Sequence, residues 1–391
     1  MKTFPRITCQ RVAKLFRIGT GLLIAMAAHV GFAEEPPRSY SATNSWNIQL
    51  GHHSEASPAL DTNGNIYITT TEGKLFALNP DGSTRWSYPF GFESASTPAI
   101  GADGTIYFGS RNRRFYAVDA AGKLRWSFPT GGWVDASPAL ATTGTILFGS
   151  WDKKFYALDP TGKARWEFAT GGPITSSAAI DRAGVIYFGS HDQKFYALRS
   201  DGSKKWEFAT GGAILSSPAI GADGALYFTS TDGHLRALNP DGTLRWKLHT
   251  GGITSASPVL GLAETIFLGI NSNHCAVSAS GRLLWAHYLS PNGYPPYDWI
   301  VATPVALADG AVITAGTDLV LAIYDERGRW WHTSLGNGIR ASPVCTAAGT
   351  VYAAATGTGL FALTNFPPPA PSSWPMFRAD PQRTGRVARS P

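Results

Sequence analysis

Apolar residues in this chain fall in short β-type runs, set apart by turn residues rather than by helical spacing. One stretch shows the grammar, with runs over residues 137–140, 145–149, 154–158 and 164–168. Asp-Gly pairs begin at Asp81, Asp103, Asp201, Asp223, Asp232 and Asp241. Gly-Gly doublets beginning at Gly131, Gly171, Gly211 and Gly251 close the fourth run, where a positive φ is cheap only for glycine.

Two markers keep one beat. Trp recurs at 46, 86, 126, 166, 206 and 246, forty residues apart, and again at 285 and 331. The second marker is Ser57-Pro58, Thr97-Pro98, Ser137-Pro138, Ser177-Ala178, Ser217-Pro218, Ser257-Pro258, Thr303-Pro304 and Ser342-Pro343. Each marker occurs eight times, and four antiparallel strands per period of 40 residues make a propeller blade. The expected fold is therefore all-β, an eight-bladed β-propeller of four-stranded antiparallel blades. Its last blade has three strands of its own and then Pro367, Pro368, Pro369 and Pro371, which cannot donate to a ladder. The N-terminal segment, residues 45–50, is expected to supply the missing strand and close the ring. A strand around Trp374 is the competing closure, but it lies 31 residues after Pro343 where the register elsewhere is 27 or 28. The register Trp residues, Trp46, Trp86, Trp126, Trp166, Trp206, Trp246, Trp285 and Trp331, read as packing between blades. Burying about 150 to 250 Å² each is reason enough for them.

Composition agrees. Only 15% of the 391 residues are charged, while 43 are Gly and 12% are aromatic, which excludes a disordered chain and a helical bundle. The net charge of +6 sits at the ends: Lys2, Arg6, Arg11, Lys14 and Arg17 face no acid before residue 33, and Arg378, Arg383, Arg386 and Arg389 face only Asp380. The middle is slightly acidic, so no nucleic-acid surface is expected. Residues 1–33 read as a signal peptide, with a basic start, a short apolar run and Gly31 and Ala33 before the cleavage point. An uncleaved anchor is the alternative, although the apolar run is short for a membrane span. The expected organisation is a signal peptide at 1–33, a lead-in at 34–44, the propeller at 45–365 and a Pro-rich, basic tail at 366–391. The product is expected to be an exported monomer, periplasmic or extracellular, without a stable membrane span. Its two remaining cysteines, Cys275 and Cys345, fall on apolar positions of the repeat and read as buried thiols.

The stretch SSPAIGADGALYFTSTDGHLRALNPDGTLRW, residues 216–246, resembles the repeat of pyrroloquinoline-quinone-like (PQQ-like) β-propellers, as do GSHDQKFYAL at 189–198 and GSWDKKFYAL at 149–158. The tail WPMFRADPQRTGR, 374–386, is similar to a flanking motif of secreted members. The resemblance implies either a quinoprotein dehydrogenase or a non-catalytic scaffold of the BamB-like kind. The dehydrogenases are implied to carry adjacent cysteines against the quinone and Glu, Asn and Asp around Ca²⁺. This chain has no Cys-Cys pair and none of their large insertions, so no cofactor is expected. The lipid-bearing cysteine of BamB-like lipoproteins is also missing, since Cys9 precedes the apolar run.

No catalytic residue and no metal site can be chosen from spacing alone. His52 and His53 adjoin and His191 and His234 lie in later loops, but neighbours on a strand point apart. Binding chemistry gathers on one rim of loops. Glu55, Asp135 and Arg340 each stand three residues before the Pro of a marker, with Glu93 and Trp133 nearby. Solvated loops are the plainer reading of these charges. The interval from Trp285 to Pro304 is 19 residues where 12 is the rule, and the inserted segment brings Tyr294, Tyr297, Asp298 and Trp299. Such aromatics suit a sugar, a quinone or a peptide, and equally a self-packed cap. Arg111, Arg113, Arg114, Trp151, Lys153 and Lys194 make a local basic patch that could receive an anionic partner, with solvated charge on a turn as the plainer reading. The expected function is a non-catalytic binding or assembly scaffold for a protein or polysaccharide of the cell envelope. A small PQQ-dependent dehydrogenase and a carbohydrate-binding propeller are the alternatives.

Overall fold

The computed structural model describes residues 43–50, 54–250, 256–270, 273–288, 302–316, 320–325, 327–335, 338–355 and 359–387. Their strands form eight four-stranded antiparallel sheets. Blade 3 is representative: Ala139–Leu140, Ile146–Gly149, Lys154–Leu158 and Ala164–Ala169, paired in sequence order from the channel outward. Its second and third strands are almost wholly buried, because each sheet is sandwiched between two others, whereas the outer strand alternates exposed and half-buried residues. Blade 8 is completed by the strand Thr43–Ile48, with Trp46 opposite Ala362. The N-terminal closure stands, and the closing strand begins two residues ahead of the expected boundary.

Both markers have structural work, and both kinds span adjacent blades. The hydroxyl of each Ser/Thr-Pro marker accepts the marker amide of the preceding blade. Ser57 N–H donates to Thr97 Oγ1, Thr97 to Ser137, Ser137 to Ser177, Ser177 to Ser217, Ser217 to Ser257, Ser257 to Thr303, Thr303 to Ser342, and Ser342 back to Ser57, at 2.9–3.3 Å. Eight hydroxyls thus form a closed circle around the channel. At the periphery, the indole N–H of Trp46, Trp86, Trp126, Trp166, Trp206 and Trp246 donates to a backbone carbonyl in the outer turn of the next blade at 2.9–3.0 Å. The same turn offers the indole a glycine face: at Gly162, with φ +86, a Cβ would stand 2.5 Å from the Trp126 ring. Phe115 stacks on Phe148, Phe155 on Phe188 and Phe195 on Phe228 across successive blades, at 4.0–4.2 Å between centroids.

The tail is part of the ring's underside. The amides of Leu60, Ile100, Leu140 and Ile180, each ending an inner strand, donate to the carbonyls of Pro381, Gln382, Thr384 and Gly385. Leu260 and Ala306 do the same to Trp374 and Pro375. Trp374 is buried there and forms no strand of blade 8. Arg383, fully buried, donates to the carbonyls of Pro58, Ser342 and Pro343, and Arg378 donates to that of Ser137. Burial lowers both guanidinium groups to about 9, so they stay charged at neutral pH. Cys275 and Cys345 are free and buried, and burial pushes both thiols up to about 12.

Ser137→Ala is expected to strand the buried Thr97 amide and cost about 1 to 3 kcal/mol. Ser137→Thr keeps the acceptor, as Thr97 and Thr303 do in their own blades, so thermal unfolding of the pair separates the hydrogen bond from packing. A second expectation concerns His274, which occupies the core position of Leu75, Phe115, Phe155, Phe195 and Leu235 with neither ring nitrogen hydrogen-bonded. Burial lowers it from 6.5 to about 3. The folded state therefore holds fewer protons than the unfolded one between those values. Stability is full above pH about 6.5 and falls as pH drops toward 3, by up to about 1.4 kcal/mol per unit from this group. The thermal midpoint of His274→Phe should be less sensitive to pH over that window than the parent's.

Candidate functional site

Antiparallel order brings two kinds of loop to the same rim: the link from an outer strand to the next inner strand, and the hairpin between second and third strands. A buried serine ties them together. Ser110 and Ser150 hydroxyls donate to the carbonyls of Glu93 and Trp133, and the following amides, Arg111 and Trp151, donate to the same two carbonyls. His191 N–H likewise meets Pro173 O. In these three blades the residue after the serine is Arg111, Trp151 or His191, so neighbouring blades present a guanidinium, an indole and an imidazole side by side. The corresponding pair in blade 5 is Thr231 and Ala213.

Arg111 is the hub. Its Nε lies 2.9 Å from Asp135 Oδ1, Nη1 lies 3.0 Å from Glu93 Oε1 and Nη2 lies 3.6 Å from Glu55 Oε2. Three successive inter-blade links thus converge on one guanidinium, which also lies 5.3 Å over the Trp133 ring. Burial opposes its charge, but the bonds and charges of Asp135 and Glu93 outweigh that and raise its pKa. Arg340 reaches Glu55 Oε1 at 3.6 Å from the eighth blade. Trp151 Nε1 donates to Asp135 Oδ2 at 2.8 Å, and its ring meets Trp133 edge-on at 5.5 Å and His191 at 5.6 Å. Thr175 Oγ1 lies 3.0 Å from His191 Nε2. Burial lowers the His191 pKa, which leaves the imidazole neutral at pH 7.

Together with Leu215, the side chains of Glu55, Arg111, Asp135, Trp151, Thr175, His191 and Arg340 wall a vestibule of about 510 Å³. It narrows to a throat of about 160 Å³ lined by the eight marker hydroxyls, with Phe377 of the tail beneath. Among the described residues the channel is closed at its lower end by the tail. Two indoles, Trp133 at 41% and Trp151 at 37%, remain exposed at the edge of the vestibule. Ion-paired carboxylates, a neutral imidazole, indole faces and hydroxyls suit recognition of an uncharged or zwitterionic polar group. Among the described residues no group of three or more His, Cys, Asp or Glu could hold a metal ion.

Glu55, Trp133, Asp135 and Arg340, singled out from the sequence, meet here. Asp135 is only 11% exposed and Glu55 28%, so neither is a solvated loop charge. Tyr294, Tyr297, Asp298 and Trp299 lie outside the described residues, as do His52 and His53. His234 turns onto Asp232 and His249, away from this cluster. The basic patch is corrected. Arg111 and Trp151 belong to the vestibule, Lys194 pairs with Glu207 at 2.7 Å and Arg114 bonds Ser127 at 2.9 Å. Sequence reasoning missed Arg111, Trp151, Thr175 and His191 as site residues. Their common register, forty residues apart for 111, 151 and 191, was the available signal.

A family model described as outer membrane protein assembly factor BamB matches residues 39–169 and 151–364. Among solved structures, BamB from Moraxella catarrhalis superposes with a TM-score of 0.67 at 17% identity, covering 82% of this chain and 97% of that one. The computationally designed Ika8 protein superposes at 0.66 and 12% identity, covering 82% and 99%. No curated protein sequence matches the chain. The likeness to both structures is one of fold.

Arg111→Met is expected to leave Glu93 and Asp135 facing each other without a counter-charge, costing about 1 to 3 kcal/mol in unfolding free energy. It should also change the emission of the indole it covers, Trp133, because that ring loses its cation. With 13 Trp residues in the chain, the emission difference between parent and Arg111→Met, lost in a Trp133→Phe background, reads this.

Proposed function

The chain belongs to the family described as outer membrane protein assembly factor BamB, and on that premise we propose that it is an exported, non-catalytic scaffold that holds a protein of the cell envelope at its rim. The observation that carries the reading is the one-sided vestibule. Exposed Trp133 and Trp151 flank an ion-pair network in which Arg111 and Arg340 already satisfy Glu55, Glu93 and Asp135. Charges held in this way position a partner rather than shuttle protons, while a projecting loop of the partner stacks on the indoles and enters the vestibule. The tail blocks the other end of the channel, so a ligand enters and leaves by the same mouth. The leader at 1–33, by its composition, delivers the protein out of the cytoplasm. Among the described residues no helix is long and apolar enough to cross a membrane. The segment with Tyr294, Tyr297, Asp298 and Trp299 contributes further aromatic contacts in this reading.

A second reading rests on the same indoles and the hydroxyl-lined throat, which also suit a sugar chain.

The test places a photo-crosslinking residue at position 133 and, as a control, at position 182 on the opposite face. Rim-specific crosslinking to one envelope protein is expected. Affinity for that protein should fall at least tenfold in the Trp133→Ala/Trp151→Ala double variant, with an unchanged thermal midpoint. Retention on envelope polysaccharide with no protein crosslink would favour the sugar reading. Substrate-dependent dye reduction on adding PQQ and Ca²⁺ would overturn the scaffold in favour of an enzyme.

A further inference from the structure

The face opposite the rim holds a cavity of about 450 Å³ between blades 3 and 4, closed on one side by the tail. Its chemistry comes from a break in the repeat. The outer strand of blade 2 carries Arg125, which pairs with Asp103 of its own blade at 2.7 Å, and Arg245 of blade 5 pairs with Asp223 at 2.5 Å. In blade 3 the same register holds Arg165, but Thr143 stands where blades 2 and 5 carry the carboxylate, as Asn63 does with Arg85 in blade 1, and Thr143 bonds to the hydroxyl of Thr145 at 3.0 Å. Arg165 therefore lacks that ion pair, and its charge acts within its blade through space on Asp159. Arg182, from the first turn of blade 4, and Arg386, from the tail, line the same cavity. None of the three forms a direct ion pair among the described residues, although Arg165 and Arg386 favour the ionised forms of Asp159 and buried Asp380 through space.

The one carboxylate in the lining, Asp181, is already committed. Its Oδ1 accepts the amides of Ala183 and Val185 at 2.9 and 2.8 Å, and its Oδ2 accepts the Tyr187 hydroxyl at 2.9 Å. The tail is fixed in place: Arg386 is bridged to Ile180, and Val387 N–H donates to the Ile180 carbonyl at 3.1 Å. Leu147, Ile180, Ile186 and Val387 supply the apolar part of the wall. Three guanidinium groups beside an apolar wall form a receptor with two halves, one for an anion that can accept forked hydrogen bonds and one for a short hydrocarbon body.

We propose that this cavity is a second binding site, independent of the rim, for a phosphate or carboxylate carried on an apolar chain. The anion sits between Arg165, Arg182 and Arg386, and the chain lies against Ile186 and Val387. Thr143 is the specificity switch, because an aspartate there would give Arg165 the internal partner that its counterparts have in blades 2 and 5.

Calorimetric titration of the full chain with octyl phosphate, octanol and inorganic phosphate tests the proposal. Saturable 1:1 binding of octyl phosphate is expected, with inorganic phosphate at least tenfold weaker and octanol not binding. Thr143→Asp and Arg182→Gln should each weaken octyl phosphate at least tenfold at an unchanged thermal midpoint, while Trp133→Ala/Trp151→Ala leaves it unaltered. Co-sedimentation with phosphatidylglycerol vesicles, lost in both variants, would identify a lipid headgroup as the source. Octyl phosphate binding without vesicle binding would identify a free amphiphile. Absence of saturable octyl phosphate binding, or equal affinity in parent, Thr143→Asp and Arg182→Gln, would overturn the site.

Discussion

Everything in this ring depends on a hydrogen bond between neighbours that no blade can make alone. Each marker hydroxyl takes the amide of the blade before it, and the circle closes only when Ser342 meets Ser57. A buried amide without an acceptor costs more than the bond itself contributes, so the circle works chiefly as a constraint on spacing. The inner strands must approach closely enough for a serine or threonine side chain to span the gap, and the channel radius follows. The outer Trp–glycine contact answers the same geometry at larger radius, where blades splay apart and a large indole is needed to fill the wedge.

Inner strands only two residues long leave polar backbone at the lower mouth of the channel. The tail meets that need with its own carbonyls and with two buried arginines whose guanidinium groups fan out to strands of different blades. Prolines suit this segment because it is accepting, not donating, along much of its path. The result is asymmetry: hydroxyls and ion pairs face one side, and a basic, partly apolar surface faces the other.

The architecture was legible because it is enforced eight times. Trp spacing, the Ser/Thr-Pro marker and the prolines after Leu363 were enough to count blades and to assign the closing strand. The site was legible in part. Glu55, Trp133, Asp135 and Arg340 could be placed on one rim by register, but their partner Arg111 looked like one member of a cationic turn. What hid it is that a hairpin and a link 18 residues earlier meet only after the buried serine ties them, a contact that neither the Trp nor the Ser/Thr-Pro marker reports. His274 was hidden for the opposite reason: it breaks the repeat at a core position where periodicity asks for Leu or Phe. Departures such as Thr143 and His274 stand out only against the contacts that their counterparts make.

The strand that completes the eighth blade has a kinetic meaning as well. Trp46 pairs with Ala362, so the first piece of propeller to be synthesised waits for the last. The seven other blades are local hairpin arrays that can form as the chain emerges, but closure joins residues more than three hundred positions apart and bears the loop entropy of that separation. Until then the outer edge of Gly359–Thr364 and the strand Thr43–Ile48 are two exposed, complementary β-edges on the same molecule, and on every other copy of it. Intramolecular closure competes with edge-to-edge exchange between chains, and dilution favours the ring.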